Sequence, residues 1–183
     1  NSYGNVVGSF FNAKIQGHIE ELLVSPLSEI SIVIGYLAGG IIRGLAVATV
    51  VTFIALFFTE INIKNPLMTL FVIIMTAGVF SLAGLINAIF AKKFDDIAVI
   101  PSFVLAPLTY LGGVFYTVSL LPEFWQTLSR FNPILYMINS MRYSVIGISD
   151  VSIQNALMMI VVFFILLFAI AVILLKKGIG IRQ

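Results

Sequence analysis

Four runs of this chain stay apolar for long enough to cross a lipid bilayer, and together they hold a single charge. Residues 30–59 contain only Arg43, and residues 67–90, 97–121 and 151–175 contain no Asp, Glu, Lys or Arg. A helix needs ~20 residues to cross a hydrocarbon core of about 30 Å. Within that core the backbone must satisfy its own polar groups, which favours helices. The fold class is therefore all-α, a polytopic membrane protein, with spans set at 30–59, 67–90, 97–117 and 151–175. With 60% hydrophobic and 10% charged residues, against roughly 25% charged in soluble domains, a water-soluble or disordered chain is excluded. A net charge of +2 without a basic cluster excludes nucleic acid as a partner. No cysteine and one histidine leave no thiolate or histidine-rich metal site.

Residues 3–11 are also apolar but too short to cross. The chain opens Asn-Ser-Tyr-Gly, without the charged start and cleavage site of a signal peptide. Residues 1–13 are accordingly expected to be the tail of an earlier span, making the chain an N-terminally truncated fragment. Alternating spans put Lys14, Lys92, Lys93, Lys176, Lys177 and Arg182 on one side, and Lys64, Arg130 and Arg142 on the other. The positive-inside rule makes the first side cytoplasmic, with the tail 176–183.

Between the first two apolar pieces, residues 17–28 form a short cytoplasmic segment bracketed by Gly17 and Pro26. Ile19, Leu22 and Leu23 share a helical face, and Glu20 and Glu21 suit the positive end of its dipole. Ser28, followed by Glu29, is placed to cap the next span. The pattern fits a connector resting on the membrane or a docking helix for a cytoplasmic partner, and leaves both open. In the first full span, Gly35/Gly39 and Gly40/Gly44 give two GxxxG spacings for close helix approach. Arg43 costs about 2.5–3.5 kcal/mol at the centre of a span. It calls for a polar interior, a carbonyl cluster or an acidic partner, or for snorkelling from an offset helix.

Asn65-Pro66 opens the second span, where Ala77/Ser81 and Gly84/Ala88 add small contacts and Asn87 is expected to bond a neighbouring helix. The third span is interrupted by Pro101 and Pro107 and followed by Gly112 and Gly113, which predicts a kink near Pro107. Such a helix suits a pathway wall or mobile joint, or a plain structural bend. In residues 118–150, Leu121, Phe124, Trp125, Leu128 and Phe131 mark an amphipathic helix opened by Pro122. Asn132-Pro133 then starts a second helix that Gly147 stops. Trp125, Tyr136 and Tyr143, with Tyr110 and Tyr116 before them, favour a membrane boundary. A re-entrant hairpin on the outer side is the reading.

The chain has no GxxxxGK[ST], GxGxxG, HExxH or GxSxG motif, so no catalytic residue and no metal site are assigned. His18 and the Asp95-Asp96 pair read as solvated loop residues. Energy for any transport would come from a gradient or from another chain.

The run Leu111-Gly-Gly-Val-Phe-Tyr116, then Leu121-Pro-Glu-Phe-Trp-Gln126, Leu128 and Asn132-Pro-Ile-Leu-Tyr136, resembles the C-terminal signature of ABC-2 type transporter permeases. Glu20-Glu-Leu-Leu-Val-Ser-Pro26 resembles their coupling-helix segment, and Gly35 to Gly44, Ser81-Leu-Ala-Gly84 and Phe94-Asp-Asp96 their following spans and loop. The likeness covers the whole chain and points to multi-pass inner-membrane permeases of bacterial two-component ABC exporters. It implies a six-span subunit that forms a homodimer among membrane lipids and pairs with separate ABC ATPase subunits carrying ATP and Mg. It assigns ATPase coupling to Glu20, Glu21, Leu22, Leu23, Ser25 and Pro26. It also assigns the periplasmic hairpin to Pro122, Trp125, Gln126, Asn132, Pro133 and Tyr136. This chain has four full spans and part of another, and the family's dimer contact uses a span that this sequence lacks. The alternatives are a gradient-driven secondary transporter or channel subunit, with Arg43 as its ionisable group at depth, and a membrane scaffold.

Overall fold

The computed structural model describes residues 1–60, 62–114, 117, 120 and 122–180, with the side chain of Leu23 left aside. Nine α-helices follow in order among them: α1 (Ser2–Ile15), α2 (His18–Val24), α3 (Glu29–Ala55), α4 (Pro66–Phe90), α5 (Phe94–Ile100), α6 (Ala106–Leu111), α7 (Glu123–Arg130), α8 (Pro133–Ile146) and α9 (Ile153–Lys177). A π turn, Pro101–Leu105, joins α5 to α6 as one helix, Phe94–Leu111. The described residues contain no strand. Four helices are long and apolar enough to cross a membrane: α3, α4, Phe94–Leu111 and α9.

Local chemistry fixes most of the boundaries. Ser28 caps α3 as its position predicts, accepting from the Ser31 N–H at 3.2 Å. Asn132 does the same for α8, accepting from the Ile134 N–H at 3.0 Å. Asn65 does not cap α4 with its side chain; the Thr69 hydroxyl donates to the Asn65 carbonyl instead, at 3.0 Å. Gly147 ends α8 in the left-handed region, at φ 81°. The third span runs over Phe94–Leu111 and not to residue 117, because Gly112 caps it and Gly113 turns left-handed at φ 78°. Phe115, Tyr116 and Leu121 of the predicted signature lie outside the described residues.

The expected irregularity stands one turn earlier than Pro107. Across Pro101–Leu105 the bonding widens, and the Ala106 N–H reaches the Pro101 carbonyl. A proline ring clashes with the carbonyl four residues back, and for Pro107 that is Phe103, within the widened turn.

Helix α4 is the centre of the bundle, packing against α1, α3, α8 and α9. Although short, α1 is deeply set: Val6, Val7, Phe10 and Phe11 are all buried against Leu82, Leu85 and Ile89. Lipid offers apolar side chains as good an environment as protein does, so small residues that admit close backbones direct this packing. Of the two GxxxG spacings, Gly40 and Gly44 face the bundle: a side-chain carbon there would strike Ser81 and Val6, or Ser2 and Ala77. Gly35 faces open space. Outward, α3 shows Ile42, Val50, Phe53 and Ile54, a surface suited to acyl chains.

The two ends of the bundle are distinct. Lys14, the α4 terminus and Gly180 meet at one end, where Lys14 and Gly180 both lie against the Ile89 carbonyl. At the other end the N–H groups of Lys64 and Asn65 donate to the Val145 and Ser144 carbonyls, at 3.2 and 3.0 Å.

Candidate functional site: the α2 corner and its contacts

Helix α2 leaves α1 through Gly17, whose φ of 78° is open to glycine and strained for other residues. Ile19 is 3% exposed and belongs to the core. Leu22 is half-buried and packs on that same core. Ile19 and Leu22 thus hold α2 against its own bundle. The outward face carries Glu20, Glu21 and Val24, the last 88% exposed. Ser25 closes the helix, its hydroxyl donating to the Leu22 carbonyl at 2.6 Å, and Pro26 is exposed beyond it. The Leu23 side chain lies outside the described residues.

Beside α2 sits a polar cavity of about 360 Å³ bounded by Lys14, Glu20 and Lys92. The Lys14 ammonium donates to the Ile89 carbonyl at 2.7 Å and to the Ala91 carbonyl at 2.9 Å. A cation thus satisfies carbonyls at the end of α4, where the helix dipole favours positive charge. Burial, and then the neighbouring Lys92, hold this ammonium below the usual lysine value. The adjoining turn is closed by Asp96, whose carboxylate accepts from the N–H groups of Lys92 and Lys93 at 2.8 and 2.9 Å. The Asp95-Asp96 pair therefore includes a helix cap. Lys14→Met keeps the aliphatic stem and removes both donors. Since hydrogen bonds to a charged group contribute about 1.5–3 kcal/mol, the thermal midpoint in detergent should fall clearly, and an equal midpoint would show the cap to be idle.

Within the bundle, the Arg43 guanidinium donates to the Asn5 side-chain carbonyl at 3.2 Å on an exposed face of α3. Its partner is thus an amide, neither a carbonyl cluster nor an acid. Asn87 does bond across helices, its amide donating to the Tyr3 hydroxyl at 2.6 Å and to the Ile97 carbonyl at 3.2 Å.

The end of the fold away from Lys14 is pinned by α8. Asn132 donates to the Leu108 carbonyl at 2.5 Å. Arg142 donates to the Gly113 carbonyl at 2.7 Å and pairs with Asp150 at 3.0 Å. Met137 packs with Val79 of α4 and Ile160 of α9, and the Tyr136 hydroxyl donates to the Arg130 carbonyl at 2.7 Å. In α7 the predicted apolar residues Phe124, Trp125 and Leu128 are exposed, as is Phe131 at its C-cap. An apolar cavity of about 790 Å³, lined by Val51, Val72, Thr76 and Met141 among others, opens between α3, α4, α6 and α8. Among the described residues, no three His, Cys, Asp or Glu side chains gather where they could hold a metal.

Sequence reasoning placed Lys14 only as a loop charge and missed the roles of Arg142 and Asp96. Each of these contacts depends on which helices are neighbours.

Four helices long and apolar enough to cross a membrane, gathered round α4, define the class as a multi-pass helical membrane protein. Residues 1–146 match the ABC-2 type transporter family, and the chain belongs to it. The inner membrane transport permease YadH of Escherichia coli (strain K12) is 50% identical over 183 residues, all of this chain and 72% of that protein. YadH of Shigella flexneri matches to the same degree. Nodulation protein J of Rhizobium leguminosarum bv. viciae is 23% identical over 146 residues, 80% of this chain and 56% of that protein. No solved structure matches the chain.

Proposed function

We propose that this chain is the permease subunit of an ATP-driven exporter of a bacterial inner membrane, acting as a homodimer with separate ATPase subunits. The observation that carries this reading is α2. It is a short helix anchored from behind by Ile19 and Leu22 and presenting Glu20, Glu21 and Val24 away from the bundle. A lipid-resting connector would turn its apolar face to the membrane. Here Ile19 and Leu22 of that face rest on the core, and Glu20, Glu21 and Val24 are left exposed for a partner. Nucleotide binding on the ATPase would move α2, and through it α1. ATP and Mg belong to that partner, in keeping with a sequence that has no phosphate-binding loop.

The end bearing Lys14, Lys92, Lys176 and Lys177 is the cytoplasmic one in this reading, with the C-terminus there. The α7–α8 pair enters from the periplasmic side. This is supported by α8 pairing with Lys64 and Asn65 at its outer end while Met137 reaches Val79, midway along α4. The π turn, Pro107, Gly112 and Gly113 give the Phe94–Leu111 helix its places to flex.

The test is capture. The full-length permease, solubilised in mild detergent, should bring down one ABC ATPase from its own cells, and that ATPase should turn over ATP faster in the complex. A monodisperse permease that captures none would overturn the reading and favour a gradient-driven transporter.

A further inference from the structure

The Phe94–Leu111 helix has no buried side chain along its length. Its Ile97, Ile100 and Leu105 are only partly buried against the core, so contacts at its two ends add to that packing in setting its tilt. At the outer end these come from Asn132 and Arg142 of α8. At the inner end Phe94 meets Phe11 of α1 edge to face, with ring centres 5.1 Å apart.

One turn further along, the carbonyl of Ile97 has lost its usual donor, because the residue four positions on is Pro101, which has no N–H. An orphan carbonyl within a membrane needs another partner. Asn87 of α4 supplies it at 3.2 Å, and its second N–H goes to the Tyr3 hydroxyl of α1 at 2.6 Å. Asn87 and Tyr3 are each 6% exposed. The two donors of one side chain thus tie three helices together, and α1 is the helix that leads into α2.

We infer that Asn87 is a positioning residue, linking α1 to the Phe94–Leu111 helix through Tyr3 and the Ile97 carbonyl, so that displacement of the α2 corner changes that helix's tilt. The inference rests on the coupling role of α2 proposed above. A purely structural amide would lower stability when replaced and leave the response to nucleotide intact. A positioning amide, when replaced, loses the response while ATPase binding persists.

These 183 residues contain no cysteine; with any cysteine elsewhere in the full-length permease replaced by serine, Phe103→Cys and Met158→Cys, both at exposed positions on different helices, take spin labels selectively. The labelled full-length permease is reconstituted with its ATPase in nanodiscs and trapped with ATP and vanadate. With Asn87 present the label-to-label distance should shift on trapping. In Asn87→Leu the shift should vanish and stimulated ATP turnover should fall about tenfold, within the range of ordinary allosteric coupling, at unchanged ATPase capture. Tyr3→Phe leaves the Ile97 carbonyl paired and should lose response in the same direction. It decides alone if Asn87→Leu does not fold. Normal capture with the parent's shift and turnover in the variants overturns the inference by itself. Failure of the parent to capture an ATPase, or to shift on trapping, overturns the coupling reading and the inference with it.

Discussion

Reversing both carboxylates of α2, Glu20→Arg with Glu21→Arg, should abolish ATPase capture while leaving the permease folded. Both side chains are exposed, and the one ion pair among the described residues, Arg142 with Asp150, lies elsewhere. The cost to the permease is the dipole of a seven-residue helix, about 0.3–1 kcal/mol per exposed charge, together with solvent-screened repulsion between residue 20 and the Lys14 and Lys92 that share its cavity. The cost to a complex is larger. If the ATPase meets this face with basic groups, attraction becomes repulsion, and facing like charges cost several kcal/mol. A loss of about 3 kcal/mol is on the order of a hundredfold in affinity. Ionic strength separates this from a general defect: between 0.1 and 1 M salt the screening length falls from about 10 to about 3 Å. Capture by the parent should therefore weaken over that range, and residual capture by the double variant should not. Glu123→Arg, on exposed α7, serves as the control and should bind normally. Full capture by the double variant would remove α2 from the interface.

Hydropathy made the number of spans readable from the sequence, because a charge-free run is a property of the chain itself. Caps were nearly as legible: Ser28, Asn132 and Gly147 act on residues within a few positions of themselves. Registers between helices were not. Gly35/Gly39 and Gly40/Gly44 are indistinguishable as spacings, and only the placement of α1 and α4 decides that the second pair is the packed one. The contact of Leu22 with the core was illegible for a similar reason. Periodicity groups Ile19 with Leu22 on one face but does not say whether that face meets the bundle or a partner. The orphan carbonyl beside Pro101 was predictable, and so was an interhelical bond from Asn87. That each answers the other, with Tyr3 as the third member, is a tertiary fact linking positions far apart in sequence.

Gly84→Val should cost the bundle most of its folded yield, because the space it needs is occupied by backbone. A side-chain carbon at Gly84 would stand 2.7 Å from the Tyr3 carbonyl oxygen and 3.3 Å from its carbonyl carbon and Cα. A flexible side chain would rotate away; the main chain of a buried helix has no such escape. Helices α1 and α4 would have to separate along the seam that holds Phe10, Phe11, Leu85 and Ile89. Overpacking alone costs about 1–3 kcal/mol. Separation also stretches the Asn87–Tyr3 hydrogen bond, one turn away on the same face, at about 1 kcal/mol more. Against a total stability of roughly 5–15 kcal/mol, the monodisperse fraction should drop sharply and the thermal midpoint of what remains should fall. Gly35→Ala tests the specificity of the argument. Its position is open, and alanine favours helix over glycine by about 1 kcal/mol in water, so its midpoint should equal or exceed the parent's. Equal midpoints for Gly84→Val and the parent would mean that α1 does not sit against α4 in the way its buried residues require.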